Sequence, residues 1–204
     1  MARSLARALG YTYLDTGAMY RALTLKALEH GVDLRDGELL AELLDHTRLE
    51  LKSDGTVWVD TAEVSHRLRT PEVDAAVSVV ASVPAVREHM VRRQRELAAA
   101  GGVVLDGRDT GSYVLPTAEV KFYLTASLEE RAARRGRELA ERGYPIAQEE
   151  LAREIARRDE LDRSRPLGPL TIPAGAQVVD STGRSAEAIL EEMVAHCRRR
   201  LARL

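Results

Sequence analysis

Asp106, Arg108 and Asp109 follow closely on a short apolar run, Val103-Val104-Leu105. Two carboxylates and a guanidinium at such spacing suit a polar, anionic ligand. A guanidinium fork matches phosphate or carboxylate oxygens, and a carboxylate accepts from amino and hydroxyl groups. The apolar run reads as a buried strand, and Gly107 and Gly111 let the backbone turn at its carboxyl end. In open α/β sheets, ligands bind outside the carboxyl ends of the strands. The plainer alternative is a surface turn with a local ion pair.

Three further groups carry residue types that could act with this one. Thr16 and Arg21 belong to Asp15-Thr16-Gly17-Ala18-Met19-Tyr20-Arg21, where a strand gives way to a helix. A hydroxyl and an arginine there suit a base edge and a phosphate; a helix cap with a solvated arginine is the alternative. Ser78 is polar amid Val77, Val79, Val80 and Ala81, and Arg87 follows Pro84 near a new helix start. Ser78 either reads a ligand or bonds back to the preceding turn. Finally, Arg131, Arg134, Arg135 and Arg137 are followed by Arg153, Arg157, Arg158, Arg163 and Arg165, with Asp159 and Asp162 among them. Phosphoryl transfer is mostly positioning and charge neutralisation, which arginines on a closing flap can supply. The alternative is a solvated helical face held by pairs such as Glu154–Arg158.

The elements that must place these residues alternate between strand and helix. Helices are expected over Ala2–Leu9, Gly17–His30, Asp36–Asp45, Thr70 to about Ser82, Pro84 to about Gly101, Leu128–Arg142, Ile146–Leu161 and Ser185–Leu204. Strands are expected over Tyr11–Asp15, Val103–Leu105, Val120–Ala126 and Gln177–Ser181. Ser127 with Glu130 forms a capping box, and Thr70-Pro71 a cap with proline at the first helical position. Residues 48–65 differ: alternating apolar residues flank Asp54-Gly55, a hairpin turn, and indicate a small antiparallel insert. Residues 165–175 read as a loop rich in Pro and Gly. Alternating strands and helices indicate an α/β fold with a parallel sheet.

Bulk properties exclude several classes. The 204 residues are enough for one good core with small inserted subdomains. A formal net charge of −2 argues against a general polyanion binder. All but Lys26, Lys52 and Lys121 of the 30 basic residues are arginine, which suits bidentate phosphate recognition, although a GC-rich genome gives the same bias. A single cysteine, Cys197, rules out an internal disulfide, and the scattered histidines lack metal-ligand spacing. No apolar run is long enough to span a membrane and no signal peptide is evident, so a cytoplasmic protein is expected. With one Phe122 and one Trp58 there is no stacking platform for nucleic acid.

Taken in order, these runs resemble the bacterial cytidylate kinases. The resemblance rests on Asp15 to Arg21, on Asp106-Gly107-Arg108-Asp109-Thr110-Gly111 and on Arg158-Asp159-Glu160-Leu161-Asp162-Arg163-Ser164-Arg165. It also rests on Thr70-Pro71-Glu72-Val73 followed by Pro84-Ala85-Val86-Arg87. It implies a P-loop-kinase-like, nucleoside-monophosphate kinase fold with residues 1–30, 85–130 and 166–204 as core. It further implies a monophosphate-binding region at 31–84, to which the antiparallel insert belongs, and an arginine-rich lid at 131–165. The implied reaction moves the ATP γ-phosphoryl group to CMP or dCMP with Mg²⁺, in a monomer. By the matching motifs, Thr16, Ser78, Arg87 and Asp109 read cytosine, while Arg21 and Arg108 hold the acceptor phosphate. Arg158, Asp162 and Arg165 approach from the lid, with Asp162 suited to a ribose hydroxyl. Arg131, Arg134 and Arg135 face the ATP phosphates, and Asp106 helps hold hydrated Mg²⁺.

One part of the family pattern is missing. No glycine in these 204 residues is followed by lysine, so there is no G-x-x-x-x-G-K-[ST] phosphate loop. Gly102 and Gly107 have the spacing, but Arg108 and Asp109 stand where the loop needs lysine and a hydroxyl. The family's first strand, central in its sheet, is missing as well. The chain taken literally is therefore expected to be inactive or nearly so, either through a start codon placed too far downstream or as an ATP-independent CMP binder. A kinase of another small acceptor (AMP, UMP or shikimate) and a non-catalytic nucleotide sensor are the rival readings.

Overall fold

Apolar spacing and caps set the element boundaries, and a computed structural model describes residues 1–52 and 55–202. The chain opens with α1 (Ala2–Leu9), which buries Leu5 and Ala6, and β1 (Thr12–Asp15). Helix α2 (Thr16–Glu29) buries residues on every side, from Ala18 and Met19 to Leu25 and Ala27, and so runs through the core rather than over it. Its cap is Asp15, whose Oδ1 accepts from the Ala18 N–H at 2.9 Å, so Thr16 is freed from capping. Helix α3 (Gly37–Asp45) is capped by Asp36.

The insert is antiparallel as expected, with one strand more than its alternation revealed. β2 (Leu49–Leu51), β3 (Val57–Val59) and β4 (Ala62–Glu63) pair in that order, and a single 3₁₀ turn (Ser65–Arg67) follows. The predicted Asp54-Gly55 turn falls partly outside the described residues. Helix α4 (Pro71–Val80) has Thr70 as cap and Pro71 at its first position, and α5 (Pro84–Ala98) follows.

The second half supplies β5 (Val103–Asp106), a one-turn π-helix (Thr110–Val114) and β6 (Phe122–Thr125). Then come α6 (Leu128–Glu141), α7 (Gln148–Ser164), β7 (Gln177–Asp180) and α8 (Ala186–Leu201). Helix α7 begins two residues later than its pattern suggests and extends three residues further. Ile146 is not in the helix; it packs on the small core that Ala132, Leu139 and Leu151 form inside the α6–α7 hairpin. The last two residues of the predicted closing helix, Arg203 and Leu204, lie outside the described residues.

β1 pairs in parallel with β5, and β6 with β7. Among the described residues no ladder joins the two pairs, so the parallel sheet is present as two halves. A shared core covers both: Leu5 of α1 and Ile189, Met193 and Cys197 of α8 pack with Val104, Phe122 and Val179. A larger core joins Leu23 of α2, Leu40 of α3, Val80 of α4 and Met90 of α5. Each such buried side chain contributes about 1.5–3 kcal/mol, so packing rather than the short strands holds α2 and α5 in place. The β1–β5 register sets Asp15 beside Asp106 at the carboxyl ends of both strands, where the sequence places the chemistry.

Candidate functional site

Arg87 enters the site from the second turn of α5 and is completely buried. It forms an ion pair with Asp109, itself 6 % exposed, and donates from Nη1 to the Ala81 carbonyl at 3.2 Å. The rings of Tyr20 and Tyr113 lie 5.9 and 6.0 Å from its guanidinium carbon, within cation–π reach. Burial foremost pushes the Tyr20 hydroxyl up to about 12, against the pull of Arg87. Arg165 joins this end: burial lowers its pKa most, Arg87 adds to that, and Asp162 and Asp109 oppose it. The backbone of Gly168, at φ +57°, passes so close that a Cβ would sit 2.4 Å from both Arg87 Nη2 and Asp109 Oδ2. Only glycine fits there. Ser78 is buried on α4.

Next to this end lies an arginine cluster. Arg21 of α2 is held down to about 10, by burial first and then by Arg69, Arg135 and Arg108, with Asp15 opposing. Arg158 of α7 is also held down to about 10, by burial and then by Arg108 and Arg21, with Asp162 opposing and Arg135 adding to the fall. Five arginines from five separate segments, Arg21, Arg69, Arg108, Arg135 and Arg158, therefore lie near one another. Two buried carboxylates of α7 hold the arginines on its own side of the cluster. Asp162 lies 3.2 Å from Arg108 Nε and 3.2 Å from Arg165 Nη2, and Asp159 accepts from Arg131 Nη1 at 2.7 Å.

The third part is carboxylate-rich. Asp106 accepts from the Tyr13 hydroxyl at 3.0 Å. Burial first, and the charge of Asp15 second, raise its pKa to about 6. Thr16 donates its hydroxyl to the Asp106 carbonyl at 2.6 Å, leaving its oxygen free to accept. Gly107 has a different reason from the expected turn: a Cβ there would stand 2.4 Å from Thr16 Oγ1, so glycine permits the close approach of two strand ends.

The fold thus brings together Thr16, Arg21, Arg87, Asp106, Arg108, Asp109, Arg131, Arg135, Arg158, Asp162 and Arg165 from distant parts of the chain. Arg134 stands apart. Its Nε pairs with Glu130, and its Nη1 and Nη2 donate to the Ser181 hydroxyl and carbonyl at 2.9 and 2.7 Å, which ties α6 to the end of β7. Sequence reasoning missed Asp74, which pairs with both Arg21 and Arg135. The signal was there: Asp74 lies one helical turn before Ser78, on the same face of α4.

Seven buried side-chain polar atoms among the described residues lack a hydrogen-bond partner. Five belong to this site: Arg87 Nε, Arg131 Nε, Arg158 Nε, Asp162 Oδ2 and Arg165 Nη2. Unmated buried N–H groups are costly, at about 1–3 kcal/mol each. Four of the five are guanidinium N–H donors and the fifth, Asp162 Oδ2, is a carboxylate acceptor, so this side of the fold has both kinds of group to offer a polar ligand.

Comparison with known proteins places the chain among relatives of one kind. A family model described as cytidylate kinase matches residues 1–199. The chain is 48% identical to a cytidylate kinase of Pelotomaculum thermopropionicum over 96% of this chain and 88% of that protein. It is 47% identical to one of Symbiobacterium thermophilum, covering 98% and 90% of the two chains. With one of Bacillus pumilus the identity is 50%, over 93% and 85%.

Proposed function

This chain belongs to the cytidylate kinase family, phosphotransferases that act on CMP or dCMP, and from that membership we propose how its residues divide the work. The observation that carries the assignment is the cluster of arginines that Arg21, Arg108, Arg135 and Arg158 form beside a buried Arg87–Asp109 pair. An anion at one end and a base with an amino group at the other satisfy both.

Asp109 accepts from the exocyclic amino group of cytosine, a natural match for a carboxylate. Arg87, its buried partner, donates to the ring edge, with Ser78 and the Thr16 oxygen completing the reading. Asp162 accepts from a ribose hydroxyl. Arg21 and Arg108 hold the acceptor phosphate, and Arg158 and Arg165 close on it from α7 and the loop beyond. Arg131 and Arg135 neutralise donor phosphates, joined by Arg134 once it leaves Ser181. Residues 131–165 act as the lid, 31–84 as the monophosphate-binding region and the remainder as the core. Closure would exclude water, which strengthens every one of these charge contacts.

The reaction is ATP-dependent, and Mg²⁺ suits the carboxylate end. Mg²⁺ keeps several waters and takes one or two carboxylates with phosphate oxygens. Asp106 fits that role, with Asp15 beside it at the carboxyl ends of two paired strands. When bound, Mg²⁺ neutralises charge on the donor phosphates. Because the sequence holds no phosphate loop of the G-x-x-x-x-G-K-[ST] form, the 204 residues by themselves bind CMP better than they turn it over. The working unit is a monomer acting on free nucleotides in the cytoplasm, with neither nucleic acid nor membrane as partner. No helix among the described residues is long and apolar enough to cross a membrane.

The test is a comparison of CMP, dCMP, UMP and AMP as acceptors, with MgATP as donor and acceptor binding followed separately by calorimetry. The expected result is preferential binding of CMP and dCMP with slow turnover. Equal binding of all four acceptors, or robust turnover by the 204-residue chain, would overturn the corresponding half of the proposal.

A further inference from the structure

Asp74 is the one carboxylate of α4 that reaches the arginine cluster, and each of its two oxygens engages a different guanidinium. Oδ1 pairs with Arg21 of α2, and Oδ2 pairs with Arg135 of α6. All three side chains are largely buried, at 7 % exposure for Asp74, 12 % for Arg21 and 19 % for Arg135. Exposed ion pairs contribute little. A buried carboxylate between two arginines is different, because each partner depends on it for its counter-charge.

The bridge continues as a chain of alternating charge. Arg135 Nη1 also meets Glu138 at 2.8 Å, Glu138 lies 3.8 Å from Arg69, and Arg69 reaches Asp15 at 3.4 Å. The α6–α7 hairpin is thus tied to α4 and to the start of α2 through side chains alone. Two of the tied guanidinia, Arg21 and Arg135, belong to the set that the nucleotide reading gives to phosphates.

We propose that Asp74 is a built-in surrogate for the acceptor phosphate. It occupies Arg21 and Arg135 in the absence of nucleotide, holds the α6–α7 hairpin against α4, and sets how strongly the site favours a phosphorylated acceptor over a neutral one. A phosphate monoester carries about −1.5 to −2 charge and three acceptor oxygens, against one charge and two oxygens for Asp74. The nucleotide therefore displaces Asp74 rather than adding to it. Arg135 is not stranded by the exchange, since Glu138 remains its partner. The inference rests on the reading of Arg21 as an acceptor-phosphate ligand.

Asp74→Asn tests it, with CMP, cytidine and inorganic phosphate titrated calorimetrically against both proteins. With the competing charge removed, CMP and phosphate should bind roughly tenfold more tightly, the scale of one charge-assisted hydrogen bond, while cytidine shifts less than about twofold. Asp74→Glu, which keeps the charge, should stay close to the parent. Fluorescent labels at the exposed positions Glu72→Cys and Ala140→Cys should move apart in ligand-free Asp74→Asn. They should also move apart in Arg135→Gln, which breaks the same bridge from the lid side if the first variant folds poorly. Weaker CMP binding in Asp74→Asn, parallel shifts for CMP and cytidine, or unchanged label separation in both variants would each overturn the proposal. A parent protein that binds CMP no better than cytidine would instead overturn the nucleotide reading itself, and the label separation would still decide the bridge.

Discussion

Removing one half of the Arg87–Asp109 pair should be far more damaging than removing both. Arg87 is completely buried and already has an unmated Nε, so Asp109→Leu leaves a full positive charge with one backbone carbonyl for company. Breaking a buried pair from one side costs about 3–5 kcal/mol, and Arg87→Met should cost a similar amount by stranding Asp109. For a chain of this size each 1 kcal/mol shifts the melting temperature by about 2–4 °C, so either single variant should melt roughly 6–20 °C lower. The double variant Arg87→Met/Asp109→Leu places two apolar side chains against Tyr20 and Tyr113 and leaves no charge behind. Replacing a buried pair by apolar residues is often neutral, so its stability should return to within about 2 kcal/mol of the parent. Urea unfolding followed by circular dichroism measures all four proteins. The reasoning fails if the two single effects add to within about 0.5 kcal/mol, the behaviour of independent sites.

Two other outcomes follow from the same geometry. Asp106 titrates near 6 in the fold against 3.8 ordinarily, so between these values the folded chain holds a proton that the unfolded chain has lost. Its contribution to stability is full below about pH 4 and falls as the pH rises through 6; Asp106→Asn removes that fall and should gain on the parent between pH 4 and pH 7.5, read from urea midpoints. Gly168→Ala puts a Cβ into the Arg87–Asp109 pair at a left-handed backbone position. It should lose more than about 1 kcal/mol of stability and weaken CMP binding in the same titration series, whereas Gly175→Ala, left-handed but in open space, should lose stability without losing CMP affinity.

What was legible in the sequence was whatever is encoded locally. Periodicity located the long helices, and Asp15, Thr70, Ser127 and Ser185 each hold an N-terminal N–H by their own side chain, whereas α7, which has no side-chain cap, was misplaced at both ends. The cap at residue 15 rather than 16 was a near miss: either side chain could serve, and the choice of Asp15 leaves Thr16 to bond across to Asp106. The motif order drew attention to residues that the fold brings near one another, Arg134 excepted. Long-range pairing was not legible. Nothing local says that Asp74 meets Arg135, 61 residues away, or that Arg134 turns to Ser181 while its neighbour Arg135 turns to α4. Two adjacent arginines on a helix point about 100° apart, and only packing decides which faces the cleft. β4 was likewise invisible, since two residues show no alternation.

A crystal structure of the chain soaked with CMP tests the whole account at once. The cytosine amino group should donate to Asp109 at about 2.8–3.0 Å, with the phosphate on Arg21 and Arg108 and Asp74 turned away from Arg21. CMP bound outside the Arg87–Asp109 cleft, or seated there with its phosphate away from the arginines of α2 and α7, would contradict it.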